Sequence, residues 1–319
     1  MKNAADMIFS TGILPVLNVK HMENVDPLAQ ILRKTGIRSI ELLFRNENAA
    51  KILSAMKTRH PELAVGAGTI MTIPQAQAAI DAGADYIVCP GYDQRLVDWC
   101  CEREILIVPG CPNASDLQLA YASGLRVAKF FPAEQLGGLG AVKLLSGAFS
   151  GMKFIVTGGI SMDSLSSYLR SPVIAACGGS FLAPAADLDS GNYEHIEALC
   201  TQAVELSMGF SVAHVGINAP DEAGALDTAQ RLSDLFAVAP AMKNRSVFAG
   251  TLAECMKGTG RGVHGHIAVR TNSVERAVAF LRERGATFDM DTAGYDGSGR
   301  LKFVYLNQEI GGFALHLTL

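Results

Sequence analysis

Glu41 and Arg45 stand four residues apart in SIELLFRN, and Lys129 interrupts the apolar run RVAKFF. A carboxylate, a guanidinium and an amine are the parts needed to hold a small acid, attack its carbonyl and move a proton. Alternation along a strand puts Glu41, Leu43 and Arg45 on one face, opposite Ile40, Leu42 and Phe44. It likewise groups Val127, Lys129 and Phe131, opposite Ala128 and Phe130. An apolar interior disfavours a charged lysine and exposes a nucleophilic amine. Plain structural accounts stand beside these: a Glu–Arg pair that only stabilises, and a strand-end lysine that snorkels to solvent.

Two glycine loops suggest an anion site. Thr157-Gly158-Gly159 and Gly178-Gly179-Ser180 each end an apolar run, where backbone N–H groups can approach a phosphate closely. Glycine turns are common, so the placement of both loops carries the point. Three histidines form a separate group. Alternation sets His214 opposite Ala213, Val215 and Ile217, and His266 opposite Ile267 and Val269. His316 falls opposite Phe313, Leu315, Leu317 and Leu319.

These groups need a frame. Residues 13–180 carry eight Val- and Ile-rich runs: ILPVLNV, SIELLF, AVGAGTI, YIVCPG, ILIVPG, RVAKFF, KFIVTGG and VIAACGG. Amphipathic stretches separate them, and a last helix is predicted over about 191–208. Eight strand–helix units fit a small (β/α)8 barrel, whose site lies at the C-terminal strand ends. Glu41, Arg45, Lys129 and both glycine loops fall there. After about residue 209 the pattern becomes βαβββ, repeated once, with His214 and His266 opening the copies. The fold class is therefore α/β, a TIM barrel over 1–209 followed by an α+β domain of paired modules over 210–319.

The chain has 319 residues, 49% hydrophobic and 18% charged, which supports packed cores and argues against long disorder. A net charge of -4 with no basic cluster gives nucleic-acid binding little support. No apolar run approaches a membrane span, and MKNAADMIFS lacks the order of a signal peptide. Seven cysteines (Cys89, Cys100, Cys101, Cys111, Cys177, Cys200 and Cys255) include no C-x-x-C pair, and several sit in apolar runs. Free buried thiols in the cytoplasm are the expectation.

The segments IELLFRN, VGAGTI, CPGYD, VPGCPNASDL, KFFPAE, VTGGIS and CGGSFLAP resemble, in order and spacing, the KDPG/KHG aldolases. The resemblance spans residues 10–208. It implies a Schiff-base aldolase that splits 2-keto-3-deoxy-6-phosphogluconate, its galactonate counterpart or 4-hydroxy-2-oxoglutarate into pyruvate and an aldehyde. Lys129 would be the Schiff-base residue and Glu41 the general acid/base. Arg45 and Thr69 would hold the pyruvate carboxylate, with Pro90 walling the site. Thr157, Gly158, Gly159, Gly179 and Ser180 would take the phosphate. No cofactor or metal is implied for this reaction; the partner is a phosphorylated keto acid and the assembly a homotrimer. The family commonly reads E-x-T-x-R-[TS] on the second strand, whereas this chain has Leu43 and Asn46, which puts the choice of sugar acid in doubt.

The paired modules resemble the glyoxalase/bleomycin-resistance (vicinal oxygen chelate) superfamily. That resemblance implies a divalent metal, zinc, nickel, manganese or iron, held by His214, Glu254 of LAECMK, His266 and His316. His264 is expected in a loop. Alternatives are a metal-free small-molecule binder, a sensor of sugar acids, or a metal-dependent enzyme to which the barrel is secondary.

Overall fold

A computed structural model describes residues 4–319. They divide into two compact units, one ending at Ser207 and the other running Met208–Leu319.

Each of the eight predicted runs becomes a strand: β1 (Ile13–Leu17), β2 (Ser39–Leu43), β3 (Ala64–Gly68), β4 (Tyr86–Val88), β5 (Leu106–Val108), β6 (Val127–Phe130), β7 (Lys153–Thr157) and β8 (Ile174–Gly179). All are parallel, in the order β5-β4-β3-β2-β1-β8-β7-β6. The two ends of this order meet at Lys129. Its N–H donates to the Pro109 carbonyl, and its carbonyl accepts from the Cys111 N–H, both at 2.8 Å. Lys129 thus closes the barrel with its own backbone.

Runs that are apolar on both faces suit parallel strands covered on each side. Polar caps begin the helices between them: Asp93 accepts the Leu96 N–H at 3.1 Å, and Asn113 accepts the Asp116 N–H at 3.0 Å. The interior cluster includes Leu14, Tyr86, Val88, Val108 and Ile155. Ile8 joins it with Ala64 and Ala175, which lie at the strand starts, so helix Ala4–Thr11 stoppers the end opposite the predicted site. Sequence reasoning assigned no element there.

The second unit holds β9 (Ser211–Asn218), β10 (Pro240–Met242), β11 (Ser246–Ala249), β12 (Ala253–Met256), β13 (Gly265–Arg270), β14 (Phe288–Tyr295), β15 (Leu301–Ile310) and β16 (Phe313–Thr318). Helices Glu222–Phe236 and Val274–Arg282 follow β9 and β13, giving the two βαβββ modules. They join through antiparallel β9 and β13, each also parallel to the last strand of its own module. Helix residues Ala225 and Ala229 pack with Val247 and Cys255, and Val274 and Ala277 with Val304 and Leu317.

Candidate active site

Alternation sends Glu41 and Lys129 inward from β2 and β6, and they meet. Lys129 Nζ lies 2.9 Å from Glu41 Oε1 and 3.2 Å from Oε2. Lys129 is 7% exposed and Glu41 0%, so the lysine does not snorkel. Nor does Glu41 pair with Arg45. Four residues of strand span about 13 Å, too far for two side chains of one face to touch. Arg45 instead lies beyond the end of β2, exposed, and its Nε donates to Thr69 Oγ1 at 3.1 Å. Thr69 follows β3 with φ 62°, a left-handed conformation that a branched residue rarely adopts. Such strain clusters where a site requires a particular side-chain placement.

A cavity of about 250 Å³ opens at the C-terminal strand ends. Its lining includes Arg45, Thr69, Pro90, Lys129, Thr157, Gly158, Gly159, Gly179 and Ser180, which are all the predicted barrel-site residues except Glu41. Glu41 is fully buried and ion-paired to the lining lysine. Leu43, Phe131, Phe181, Val16 and Ile160 supply apolar wall. Asn46 takes no part in the lining; its amide nitrogen donates to Asn18 Oδ1 at 2.7 Å and to the Val19 carbonyl at 3.1 Å, tying two loops together.

The glycine loops suit an anion. Gly158 and Gly159 have φ of 91° and 81°, where a side chain would be strained. Thr157 Oγ1 is buried without a hydrogen-bond partner among the described residues, a polar atom available to a ligand. The loop after β6 braces them: Ala133 and Glu134 donate their N–H groups to the Thr157 and Gly158 carbonyls at 2.9 and 3.1 Å. Tyr168 donates its hydroxyl to the Glu134 carboxylate.

Sequence reasoning missed Gly68. A Cβ there would lie 2.3 Å from Glu41 Oε1, so this glycine makes the room in which the carboxylate sits. Alternate glycines within AVGAG are the available signal, since glycine inside a strand marks a close approach. Gly66 does the same for the Tyr86 ring, which a Cβ would meet at 2.1 Å.

In the second unit His214, His266 and His316 each offer a nitrogen, all within 4.8 Å of one another. Glu254 Oε2 lies 3.1 Å from His214 Nε2 and 3.2 Å from His266 Nε2, and the two nitrogens are 3.2 Å apart. A tetrahedral zinc with bonds of about 2.0 Å needs ligand separations of about 3.3 Å, which these approach. The four residues come from β9, β12, β13 and β16, the first and last strands of both modules. Gly216 pairs in register with both Glu254 and His266, and a Cβ on it would lie 2.1 Å from His266 Cε1. His264 is exposed in a bend before β13, outside the cluster.

This face is not a solvated one. His266 and His316 are buried, and the rings of Phe303 and Tyr305 lie 4.6 and 4.9 Å from that of His316. Burial opposes the charge of Glu254, but hydrogen bonds with His214, His266 and Ser246 overcome it and hold the carboxyl well below the usual range. Burial pushes His316 down to about 4, and the neighbouring His266 and His214 add to the shift. Its buried Nδ1 has no partner among the described residues. Three imidazoles, one of them with an unpartnered nitrogen, and an ionised carboxylate together fit a divalent cation.

A family model described as "Aldolase: KDPG and KHG aldolase" matches residues 5–199. The chain belongs to the KDPG and KHG aldolase family. The KHG/KDPG aldolase of Escherichia coli (strain K12) is 38% identical to this family member over 205 residues, covering 64% of the chain and 96% of its own length. The crystal structure of a 2-keto-3-deoxy-6-phospho-gluconate aldolase from Zymomonas mobilis ATCC 29191 matches with a TM-score of 0.60 and 32% identity, over 64% of this chain and 98% of that one. The KDPG aldolase of Legionella pneumophila, solved with pyruvate captured as a covalent carbinolamine intermediate, matches with a TM-score of 0.61 and 32% identity, over 63% and 98%. The family match ends at residue 199, so Met208–Leu319 lies outside it.

Proposed function

We propose that the chain is a class I aldolase cleaving 2-keto-3-deoxy-6-phosphogluconate, or its galactonate counterpart, to pyruvate and glyceraldehyde 3-phosphate, or 4-hydroxy-2-oxoglutarate to pyruvate and glyoxylate. The observation that carries this reading is a buried lysine amine 2.9 Å from a fully buried carboxylate, at an otherwise open cavity. Glu41 takes a proton from the Lys129 ammonium, and the freed amine attacks the C2 carbonyl. Glu41 returns the proton as water leaves, and the resulting iminium accepts electrons from the breaking C3–C4 bond. Glu41, directly or through a water, takes the proton of the C4 hydroxyl as the aldehyde departs. The remaining enamine is protonated at C3 and hydrolysed to release pyruvate. Arg45 and Thr69 hold the carboxylate, Pro90 walls it, and Thr157, Gly158, Gly159, Gly179 and Ser180 take the phosphate.

Borohydride reduction in the presence of pyruvate, followed by peptide mass mapping, tests the reading. The expected adduct is on Lys129 and absent from Lys129→Ala. An adduct elsewhere, or one that survives the substitution, overturns it. Cleavage rates on a panel of phosphorylated and unphosphorylated 2-keto acids identify the preferred substrate.

A second reading concerns residues 210–319, proposed here as a vicinal-oxygen-chelate-like domain holding a divalent cation at His214, Glu254, His266 and His316. The donor set supports it. Such a cation, when bound, would polarise an oxygen ligand as a Lewis acid. Metal analysis of the full chain and of His214→Ala tests this; equal metal contents would sink it. A homotrimer and a cytoplasmic setting belong to the same proposal. The free thiols of Cys89, Cys100, Cys101, Cys111, Cys200 and Cys255 support a reducing compartment, and sedimentation equilibrium tests the trimer. Among the described residues no helix is long and apolar enough to cross a membrane.

A further inference from the structure

We propose that Ser246 is a positioning residue that fixes Glu254 as a one-oxygen ligand of the cation. The inference rests on the metal reading above and adds a residue to it. Ser246 opens β11, is 2% exposed, and donates its hydroxyl to Glu254 Oε1 at 2.6 Å. The opposite oxygen, Oε2, is the one that faces His214 and His266. The carboxylate therefore divides its work: one oxygen is held by the serine and the other is turned toward the imidazoles.

The sheet explains the arrangement. Phe248 lies directly opposite Glu254 in the β11–β12 ladder, and Ser246 is two residues from Phe248, on the same face and diagonal to Glu254. A hydroxyl at that diagonal reaches the outer carboxylate oxygen and stops the group from rotating to present both oxygens. An alanine would leave Oε1 without this donor in a half-buried place and free the carboxylate to turn. Groups that orient a ligating side chain in this way typically contribute about 10–100-fold to metal affinity.

The test is zinc affinity of the full chain, stripped with a chelator and titrated against a chromophoric competitor. Ser246→Ala should weaken zinc binding by about 10–100-fold, and Ser246→Thr, which keeps the hydroxyl, should bind more tightly than Ser246→Ala. Ser246→Cys preserves volume with only a weak donor and should also weaken binding, which covers the case where the alanine variant does not fold. In a Glu254→Ala background Ser246→Ala should have no further effect, because its partner is gone. Unchanged affinity in Ser246→Ala, or in Ser246→Cys where the alanine variant does not fold, overturns the proposal. So does an equal loss with and without Glu254. A wild-type chain that takes up no zinc, nickel, manganese or iron would instead sink the metal reading itself.

Discussion

Lys129 and Glu41 reach each other from β6 and β2, on opposite sides of the barrel, and pair at 2.9 Å with almost no solvent access. A buried pair of this kind is poor at stabilising a fold by net energy, because both charges lose hydration. Removing one member is nonetheless costly, since the other is left buried and uncompensated. Glu41→Gln should therefore have two effects: turnover should fall by about 10²–10⁴-fold through loss of the proton shuttle, and unfolding free energy by about 3 kcal/mol. Steady-state kinetics and denaturant titration measure them. A variant with near-normal turnover would remove Glu41 from the chemistry.

Gly68→Ala should act through Glu41 without touching substrate. The added Cβ would lie 2.3 Å from Oε1 and 2.7 Å from Cγ, so the carboxylate must leave its place beside the lysine. The expected result is a kcat loss of at least about 10²-fold, as for removal of a positioned acid or base. Gly68→Ala should add little to Glu41→Gln in the double variant. Additive losses would mean that Gly68 serves something else.

Leu43 lines the cavity between Glu41 and Arg45 on the inward face of β2. An apolar side chain there offers no partner to a substrate hydroxyl. Leu43→Thr supplies one, and a hydrogen bond contributes about 0.5–1.5 kcal/mol. Only the 2-keto-3-deoxy-6-phospho acid carries a C5 hydroxyl, so its kcat/KM relative to 4-hydroxy-2-oxoglutarate should rise by about 2–10-fold. A fall in that ratio would show that the leucine packs against the longer substrate.

The barrel was legible because its eight runs are apolar on both faces and separated by amphipathic stretches, a pattern that survives without tertiary information. Alternation then put Glu41 and Lys129 on the inward faces. It could not say that they touch, because strand number fixes neither the tilt of the barrel nor the length of reach across it. The same rule invited a false partner for Glu41 in Arg45, since sharing a face is not the same as being close. Gly68, Gly216 and Ser246 were silent for a related reason: each matters through the side chain on a neighbouring strand, and register is not written in either strand alone. Helix Ala4–Thr11 is two turns long, too short for its periodicity to stand out, and only the barrel end that it covers gives it meaning.

The thiols give a pH-dependent prediction. Burial pushes Cys89, Cys111 and Cys200 up to about 12 and Cys100 to about 11. A raised thiol stays protonated, so its reactive thiolate appears only as pH approaches that value. At pH 8 a thiol at 12 is about one part in ten thousand thiolate. Cys101 is the exposed cysteine. Ellman's reagent at pH 8 should find one fast thiol per native chain, and Cys101→Ser should abolish the fast phase. Two or more fast thiols would contradict the burial.

Gly159→Ala separates the phosphate end of the cavity from its lysine end. The residue has φ 81°, and a Cβ on it would lie 2.6 Å from that of Glu134. Glu134 is itself held by Tyr168 and by the Gly158 carbonyl, so it has little freedom to retreat. The glycine loop must shift instead, and its N–H groups lose their aim. Hydrogen bonds to a charged group contribute about 1.5–3 kcal/mol, or roughly 10–100-fold in binding. KM for a 6-phospho substrate should rise by that factor. 4-Hydroxy-2-oxoglutarate carries no phosphate, and its kcat/KM should change far less. Equal losses on both substrates would mean that the loop supports the lysine rather than an anion, and the phosphate assignment would fall while the Schiff base stood.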